Sequence, residues 1–463
     1  MFRFFGHMNL FKRLLNTGYV GARAALERRI PFWPIERIER LQRHRVRSIV
    51  RHAYTTAPFY RDAMEQRGLK PGDFRCADDL ARLPLLDDLT VRNNPELFAS
   101  TRYSDQSRLT AYTSGSTSHV QKKIYWDHTA LLDLLCYSER HRAVLNALLG
   151  RGWGQRQLFI IPQGSMTLAI RSFWDAATLT PPQLARRHFV PVSSPLEEVV
   201  REINTIKPEV VFSYGSFADL FFRWLADRRL TIAPPRVWMY GADMLSDDAR
   251  EIMEKQFGCI PYTTYQAGET GRIGFQCERR RGFHLNVDAV PVRLVDENGR
   301  TVRPGEVGEV VVSNLYNRAM VLLNYRLGDL GALSTIPCPC GRSLPLLAGF
   351  EGRCTEVLQL PDGRKVPYVM FEVLLKNELH DSIQAQMVQS SPARICWRIV
   401  PASNADREKL RAQILAKSSS FIGPKIQVTV EFAEHIPSTG GGKFRRVIRD
   451  STLVQTEQPE PRN

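Results

Sequence analysis

Residues 208–216 read PEVVFSYGS, residues 236–244 read RVWMYGADM, and residues 259–269 read CIPYTTYQAGE. Each is a short apolar run that ends in glycine, serine or another polar residue, which is typical of a buried strand. Helical patterns lie between them, SFADLFFRWLADRR and SDDAREIMEKQF. Strands that alternate with helices predict an α/β fold with parallel strands. Because ligands of such sheets bind beyond the carboxyl ends of the strands, the polar ends of these runs are the first candidates for a site.

The flanking regions have other patterns. Residues 290–335 read as successive strands separated by NG and PG turns and predict a β-rich subdomain. The N-terminal region is predicted to be helical over about residues 1–100, with a break at Pro58. We expect a large multi-layer N-terminal domain over residues 1–352 and a small, mobile α+β C-terminal domain over residues 353–463.

Charge and hydropathy narrow the class of protein. The 63 Lys and Arg residues exceed the 48 Asp and Glu residues and give a formal net charge of +15, which favours anionic partners such as nucleotides. Since no zinc-finger spacing or RNA-binding aromatic signature accompanies this charge, dedicated nucleic-acid binding is not predicted. No apolar run reaches the roughly 18 residues that span a bilayer. The N-terminal MFRFFGHMNLFKRLL lacks the pattern of a signal peptide, so we expect a cytoplasmic protein.

Residues 111–123 read AYTSGSTSHVQKK, a run of hydroxyl residues around Gly115 that ends in two lysines. It is not a Walker loop, because that motif needs a second glycine directly before the lysine. A loop rich in serine and threonine can still hold phosphate oxygens through hydroxyl and backbone N–H groups, and Lys122 or Lys123 would add positive charge. Taken alone, the run is more typical of an ordinary surface turn.

Three later segments also combine glycine with a polar residue: YQAGETG at 265–271, NYRLGDLG at 324–331 and STGGGKFRRVIRD at 438–450. A carboxylate such as Glu269 at a strand end can bind Mg²⁺, and Tyr265 can stack on a base. Asp329 can accept hydrogen bonds from ribose hydroxyls, and Lys443 follows three glycines that can carry its ammonium group into a site. Each segment by itself also fits a plain turn.

The order of these four segments resembles the adenylate-forming superfamily. Residues 51–88, RHAYTTAPFYRDAMEQRGLKPGDFRCADDLARLPLLDD, resemble the N-terminal region of its phenylacetate-CoA ligase-like and capsular-polysaccharide-associated branch. In that branch a CPCGR segment, here residues 338–342, commonly follows the Gly-Asp turn. The resemblance covers roughly residues 40–450.

The resemblance implies a role for each matching residue. The phosphate loop would consist of Ser114, Gly115, Ser116 and Thr117. The segment beside the adenine would consist of Gly241, Ala242 and Asp243. Tyr265 would stack on the adenine, Glu269 would bind Mg²⁺ and Asp329 would bind the ribose. Gly352 and Arg353 would join the two domains, with a hinge near Thr355 or Glu356, and Lys443 would contact the carboxylate and the α-phosphate. Acyl-pocket candidates, which also fit a plain core, are Phe212, Tyr214, Tyr240 and Ala267.

One departure from the family pattern lies in the phosphate loop. The family loop continues with glycine, a basic residue and proline, whereas this chain has Ser118, His119 and Val120. A serine in place of glycine restricts the backbone and changes the phosphate contacts. The departure leaves open a weakened ATP site or a rearranged loop.

Cys277, His284, Cys338 and Cys340 form a second candidate constellation. Three cysteines and one histidine complete a tetrahedral zinc site, which would be structural because no coordination position stays open. Some members of the family resemble this arrangement. Four reduced thiol and imidazole groups without metal are the equal alternative.

The resemblance implies that ATP and Mg²⁺ activate a small carboxylic acid as acyl-AMP, and that coenzyme A most often accepts the acyl group. Transfer to an amine or to a carrier-protein thiol is the alternative within enzymes. A catalytically silent nucleotide-binding descendant is the alternative outside them, and it is favoured by the altered loop. A homodimer is included among the expected partners.

Overall fold

The computed structural model describes residues 8–113, 122–152, 154–179, 186–353, 357–438 and 444–449. The N-terminal helices are α1 (Leu10–Glu27), α2 (Ile35–Thr56), α3 (Pro58–Glu65), α4 (Asp88–Asn93) and α5 (Pro95–Phe98), with 3₁₀ turns at Ile30–Phe32, Pro71–Asp73 and Asp78–Arg82. Apolar residues at helical spacing, such as Val46, Ile49 and Val50, bury one side of α2. Helix α2 ends at Thr56. The next residue, Ala57, has an extended backbone because Pro58 follows it.

The middle of the chain alternates strands and helices as the sequence predicts. Its elements are β1 (Arg108–Thr113), β2 (Lys122–Asp127), α6 (His128–Leu149), β3 (Arg156–Ile161), α7 (Met166–Ala177), β4 (Arg186–Pro191), α8 (Leu196–Ile206), β5 (Val210–Tyr214), α9 (Gly215–Asp227), β6 (Val237–Gly241), α10 (Asp247–Lys255) and β7 (Ile260–Ala267). Strands β3 to β7 pair in parallel, in the order β4-β3-β5-β6-β7. The predicted α/β class is confirmed.

The β-rich region does not form a separate sheet among the described residues. Its strands are β8 (Gly271–Phe275), β9 (Phe283–Leu285), β10 (Val292–Val295), β11 (Val307–Val312), β12 (Tyr325–Leu333) and β13 (Leu346–Arg353). Because β8 returns antiparallel beside β7, the parallel sheet continues without a break. The described strands thus form one 11-stranded sheet, β10-β11-β12-β13-β9-β8-β7-β6-β5-β3-β4.

The two faces of the parallel strands are covered by different helices. Leu158, Val211 and Trp238 point to the face covered by α9 and α10. Val210, Val237 and Met239 alternate with them and pack with Val144 and Leu145 of α6. The alternation follows from the two-residue period of a strand. It also fixes which side chains near the strand ends can share a pocket.

The C-terminal region has a sheet and an apolar cluster of its own. Its elements are β14 (Val357–Gln359), β15 (Lys365–Pro367), α11 (Tyr368–Leu374), α12 (Lys376–His380), β16 (Ser382–Ser391), β17 (Arg394–Pro401), α13 (Arg407–Ile422), β18 (Gln427–Phe432) and β19 (Val447–Arg449). Strands β18-β17-β16-β19 form a four-stranded sheet around buried Trp397. Arg223 of α9 donates to the carbonyl oxygens of Leu379 and Ser382, both at 3.2 Å, and so joins this region to the preceding one.

Candidate active site

The carboxyl ends of β5, β6 and β7 bring the polar segments of the sequence side by side. Tyr214 pairs with Gly241, and Tyr240 pairs with Thr263, so residues 214–216, 241–243 and 265–269 lie at one edge of the sheet. Asp243 accepts a hydrogen bond from the backbone N–H of Ser216 at 3.1 Å and another from the Ser216 hydroxyl. Gly215 permits this approach, because a Cβ there would lie 2.7 Å from the Asp243 carbonyl oxygen.

Ala242 stores backbone strain at this edge. Its φ of 70° lies in the left-handed region, which costs an alanine about 1–2 kcal/mol. The Ser216–Asp243 hydrogen bonds hold the chain on its C-terminal side and so help to keep this conformation. Strain of this kind is typical of ligand-binding segments.

Tyr265 and Asp329, which the sequence separates by 64 residues, are in direct contact. The Tyr265 hydroxyl donates to Asp329 Oδ2 at 2.7 Å, and the exposed fractions of the two residues are 6% and 7%. Asp329 lies on β12 opposite the backbone of Arg353 on β13. The residues predicted to bind the base and the ribose are therefore neighbours, and the predicted domain junction lies beside them.

The Glu269 carboxylate forms an ion pair with a lysine side chain. Lys122 Nζ forms an ion pair with Glu269 Oε1, and it donates to Asp88 Oδ1 and to the Tyr325 hydroxyl, both at 2.6 Å. Its side chain is 3% exposed, so the three contacts use all three N–H bonds of a buried ammonium group. Arg92 pairs with the other oxygen of Asp88 at 2.6 Å. We call Lys122, Glu269, Asp88 and Tyr325 the Lys122 cluster.

The electrostatics of the cluster keep both carboxylates ionised. Burial by itself would raise the pKa of Glu269, but the Lys122 ammonium outweighs burial and lowers it below its ordinary value. The same lysine, with help from Arg92, lowers the pKa of Asp88. Glu269 and Asp88 therefore offer charged oxygens next to a fixed positive charge.

Sequence reasoning offered Lys122 or Lys123 as the source of added positive charge for phosphate binding and did not select Asp88 or Tyr325. The strand pattern holds a partial signal: Lys122 is buried and Lys123 exposed, as alternation along β2 requires. A buried lysine needs an anionic partner, but the pattern does not say which one. Asp88 lies 34 residues away on α4, so only the tertiary structure brings it here.

The candidate acyl-pocket residues do not all lie together. Phe212 is on the face covered by α6, whereas Tyr240 packs with α9 and α10, and its hydroxyl accepts from Arg250 at 2.9 Å. Tyr214 also packs against the α9 and α10 side. Ala267 packs against the larger core beyond β7.

Several predicted residues lie outside the described residues. They are Ser114, Gly115, Ser116, Thr117, Ser118, His119, Val120, Thr355, Glu356 and Lys443. Phe444, which follows Lys443, is described, and its backbone N–H donates to Ser216 Oγ at 3.4 Å. The C-terminal lysine segment therefore adjoins the strand-end site at Phe444.

The predicted zinc ligands meet in one place. The ligand atoms of Cys277, His284, Cys338 and Cys340 all lie within 4.8 Å of one another. Cys277 Sγ is 3.7 Å from Cys338 Sγ, and Cys340 Sγ is 3.2 Å from His284 Nε2. Zinc–ligand bonds of about 2.0–2.3 Å in a tetrahedron give ligand separations of this size. His284 Nδ1 lies 3.3 Å from the Leu344 carbonyl oxygen, which leaves Nε2 to face the thiols.

Comparisons with known proteins agree with this architecture. Residues 358–450 match the family model of the CapK C-terminal domain. The chain is 25% identical to the phenylacetate-coenzyme A ligase of Thermus thermophilus, over 90% of this chain and 97% of that one. It is 21% identical to the protein CapK of Staphylococcus aureus, over 89% of each chain.

Among the described residues, no helix has the length and apolarity needed to cross a membrane. Solved structures share the fold of this chain. The crystal structure of 2-hydroxyisobutyryl-CoA ligase in its postadenylation state matches 92% of this chain and 93% of its own, with a TM-score of 0.73 and 17% identity. The same ligase in its thioesterification state gives a TM-score of 0.58. By its sequence relatives, its C-terminal family model and its fold, the chain belongs to the adenylate-forming superfamily, on the branch of the phenylacetate-coenzyme A ligases and CapK.

Proposed function

We propose that this protein activates a carboxylic acid with ATP and then transfers the acyl group to coenzyme A. The observation that carries the proposal is the convergence of Tyr265, Asp329 and Glu269 at one end of the sheet, in a chain that matches phenylacetate-coenzyme A ligase along most of its length. A base, a ribose and a phosphate group need an aromatic ring, a carboxylate acceptor and a cationic environment. Their convergence supports a nucleotide site at this edge of the sheet.

In the first half-reaction a carboxylate oxygen of the acid attacks the α-phosphorus of ATP, and pyrophosphate leaves. In the second, the thiol of coenzyme A attacks the acyl carbon, AMP leaves, and the thiol proton passes to solvent. Adenylation is needed because the oxygen of a free carboxylate is a poor leaving group. The site contributes by positioning the two reactants and by stabilising the charge that develops on phosphate.

The side chains near Glu269 suit a hard divalent cation. Carboxylate oxygens are the ligands that Mg²⁺ prefers, and Glu269 and Asp88 are both held ionised. When bound, Mg²⁺ would neutralise charge on the phosphate groups of ATP. Lys122 already neutralises part of the charge of Glu269, so we assign it to positioning that carboxylate.

The remaining assignments follow the same scheme. We propose that Ser114, Gly115, Ser116 and Thr117 bind phosphate, that Gly241, Ala242 and Asp243 line the adenine, and that Lys443 bridges the acid and the α-phosphate. Residues 353–463 would act as a mobile lid, with Arg353 near its hinge. The separate sheet and apolar cluster of residues 358–447 support a unit that can move as one body.

Exchange of radioactive pyrophosphate into ATP tests this function. We expect exchange only when a carboxylic acid is present, with a panel that includes phenylacetate and 2-hydroxyisobutyrate. Release of AMP with coenzyme A, compared with release with amines, then identifies the acceptor. No exchange with any acid, together with no shift of the thermal midpoint by ATP, would instead indicate a catalytically silent descendant.

We further propose that Cys277, His284, Cys338 and Cys340 bind structural zinc. Such an ion would tie the segment between β8 and β9 to the segment before β13. Elemental analysis should find about one zinc per chain, and Cys338→Ser should lose most of it. Cys396→Ser, a cysteine on β17 away from this group, should keep its zinc. Equal zinc contents in both variants would refute the assignment.

A further inference from the structure

A group of cationic and imidazole side chains lies on the α6 and α7 side of the sheet, apart from the residues assigned above. It consists of Arg171 of α7, Arg272 of β8 and His141 of α6, and we call it the cationic cluster. The positive charges of both arginines act on His141. Burial, together with the charges of Arg272, Arg142 and Arg171, lowers the pKa of its imidazole well below the ordinary value, which leaves a neutral ring beside these guanidinium groups.

Arg171 lies over aromatic rings, and the carboxylate whose charge acts on it, Asp175, forms an ion pair with Arg187. Its guanidinium carbon is 4.1 Å from the ring centre of Phe159 and 5.6 Å from that of Phe212. Its Nε is buried and has no hydrogen-bond partner. Burial, with repulsion from Arg187 and Arg272, lowers the pKa of Arg171 to about 9. Asp175 therefore offsets only part of the charge of Arg171, because Arg187 shares the same carboxylate.

Arg272 is in a similar position. Its Nε donates to the Ser138 hydroxyl at 3.1 Å, and a terminal N–H donates to the Gln266 side-chain oxygen. Both partners are neutral, and burial lowers the pKa of Arg272 to about 10. In the described part of the chain, no ion pair joins Arg171 or Arg272 to a carboxylate.

Fully buried arginines of this protein are paired, whereas Arg171 and Arg272 are only partly buried. Arg140 pairs with Asp288 at 2.7 Å and with Glu27 at 2.5 Å, and Arg223 pairs with Asp219 at 2.6 Å. Such pairing is the general rule, because a buried charge is costly unless an opposite charge and hydrogen bonds compensate it. Arg171 and Arg272, which keep some exposure, therefore lack the ion-paired carboxylate that the protein supplies to its buried arginines.

The cluster adjoins the strand-end site and reaches deeper than it. The side chain of Gln266 accepts a hydrogen bond from Arg272 and also lies next to Gly241. If Gly241 carried a Cβ, that atom would be 3.3 Å from the side-chain nitrogen of Gln266. Phe212 pairs with Met239, two residues before Gly241, so this ring beside Arg171 lies nearer the amino ends of the strands than the nucleotide segment does. That depth suits the far end of an acid whose reacting carboxylate faces the α-phosphate.

We propose that the acid activated here carries a second oxyanion, a carboxylate or a phosphate, which binds to Arg171 and Arg272 while the body of the acid packs near Phe159 and Phe212. This inference rests on the proposed function for the reaction, and it specifies the substrate class. Guanidinium groups bind carboxylate and phosphate through two parallel hydrogen bonds, and such charged hydrogen bonds are the strong ones. A neutral tail would leave Arg171 and Arg272, both partly buried, without an ion-paired anion.

Matched acids test the proposal: phenylacetate against 4-carboxyphenylacetate and 4-phosphonophenylacetate, and hexanoate against adipate. We expect the doubly charged member of at least one pair to show a kcat/KM for exchange about 10- to 100-fold higher, the value of one or two charged hydrogen bonds. Arg171→Met and Arg272→Met should abolish this preference. Arg398→Met is the control, because Arg398 lies on β17 of the C-terminal sheet and pairs with Glu431 at 3.8 Å. The preference is a ratio within each variant and does not depend on the folded fraction.

Titration calorimetry with the same acids in the presence of AMP measures binding of the acid independently of the exchange reaction. Arginine-dependent binding of a doubly charged acid without exchange would support the inference while the proposed function fails. Exchange of singly charged acids with equal kcat/KM for their doubly charged partners would overturn the inference while the proposed function stands. Equal binding of both members of each pair in the wild type and in Arg171→Met would also overturn it.

Discussion

Lys122→Met should lower the free energy of unfolding by about 3 kcal/mol, the low end of the range for breaking a buried ion pair. The side chain of Lys122 is 3% exposed and that of Glu269 is 11% exposed, so the substitution leaves the Glu269 carboxylate with little water and without its cation, while Asp88 keeps Arg92. The low end applies because the Asp88 side chain is 37% exposed and can regain part of its hydration. Urea unfolding followed by tryptophan fluorescence measures the change.

The same substitution should reduce acid-dependent exchange about 100-fold at saturating ATP, because a displaced Glu269 is no longer held in its reactive position. The concentration of Mg²⁺ that gives half-maximal exchange should also change, which a purely structural loss would not produce. Lys123→Met is the matched control, since it removes the same charge from the adjacent exposed position. If both variants lose the same stability and activity, Lys122 is not the positioning residue.

A double-mutant cycle measures the coupling energy between Lys122 and Glu269 apart from their other contacts. Adding Glu269→Gln to Lys122→Met removes the carboxylate that lost its cation, so part of the lost stability should return. Residues in contact typically show coupling energies of about 0.5–3 kcal/mol. Strict additivity of the two substitutions would contradict the ion pair as the source of the effect.

The apolar runs of the sequence predicted the strands. The order of the four glycine-containing segments predicted, through the family resemblance, which residues meet at the strand ends. The runs that end at Tyr214, Gly241 and Ala267 are strands, and their parallel pairing brings the polar ends together. The contact of Tyr265 with Asp329 was implied only by the family resemblance, because 64 residues and several strands separate them. The continuity of the sheet through β8 was not predicted, since strand pairing across a sheet is non-local.

The candidate pocket shows a different limit of sequence reasoning. Phe212 and Tyr240 were selected because both stand beside a predicted strand end. In the structure Phe212 pairs with Met239, so Tyr240 is one residue further along and faces the other side of the sheet. Alternation gives the face of each residue within its own strand, but only the register relates one strand to the next. The cationic cluster was missed for the same reason, because it gathers residues from α6, α7 and β8.

Lys443→Ala should reduce exchange about 100- to 1,000-fold, as expected for the loss of one group that stabilises charge in the transition state. It should leave the formation of thioester from a supplied acyl-adenylate and coenzyme A nearly unchanged, because that step no longer needs the bridge to the α-phosphate. The segment adjoins the site, since Phe444 donates to Ser216, which in turn binds Asp243.

Lys425→Ala, an exposed lysine between α13 and β18, is the control and should retain both half-reactions. A comparison of the two steps is needed because destabilisation of the whole C-terminal region would lower them together. Loss confined to adenylation would assign Lys443 to that step alone. It would also indicate that the lid withdraws the lysine before coenzyme A reacts. Equal losses in both steps would mean that the segment from Lys443 to Phe444 holds the C-terminal region in place rather than contacting the substrates.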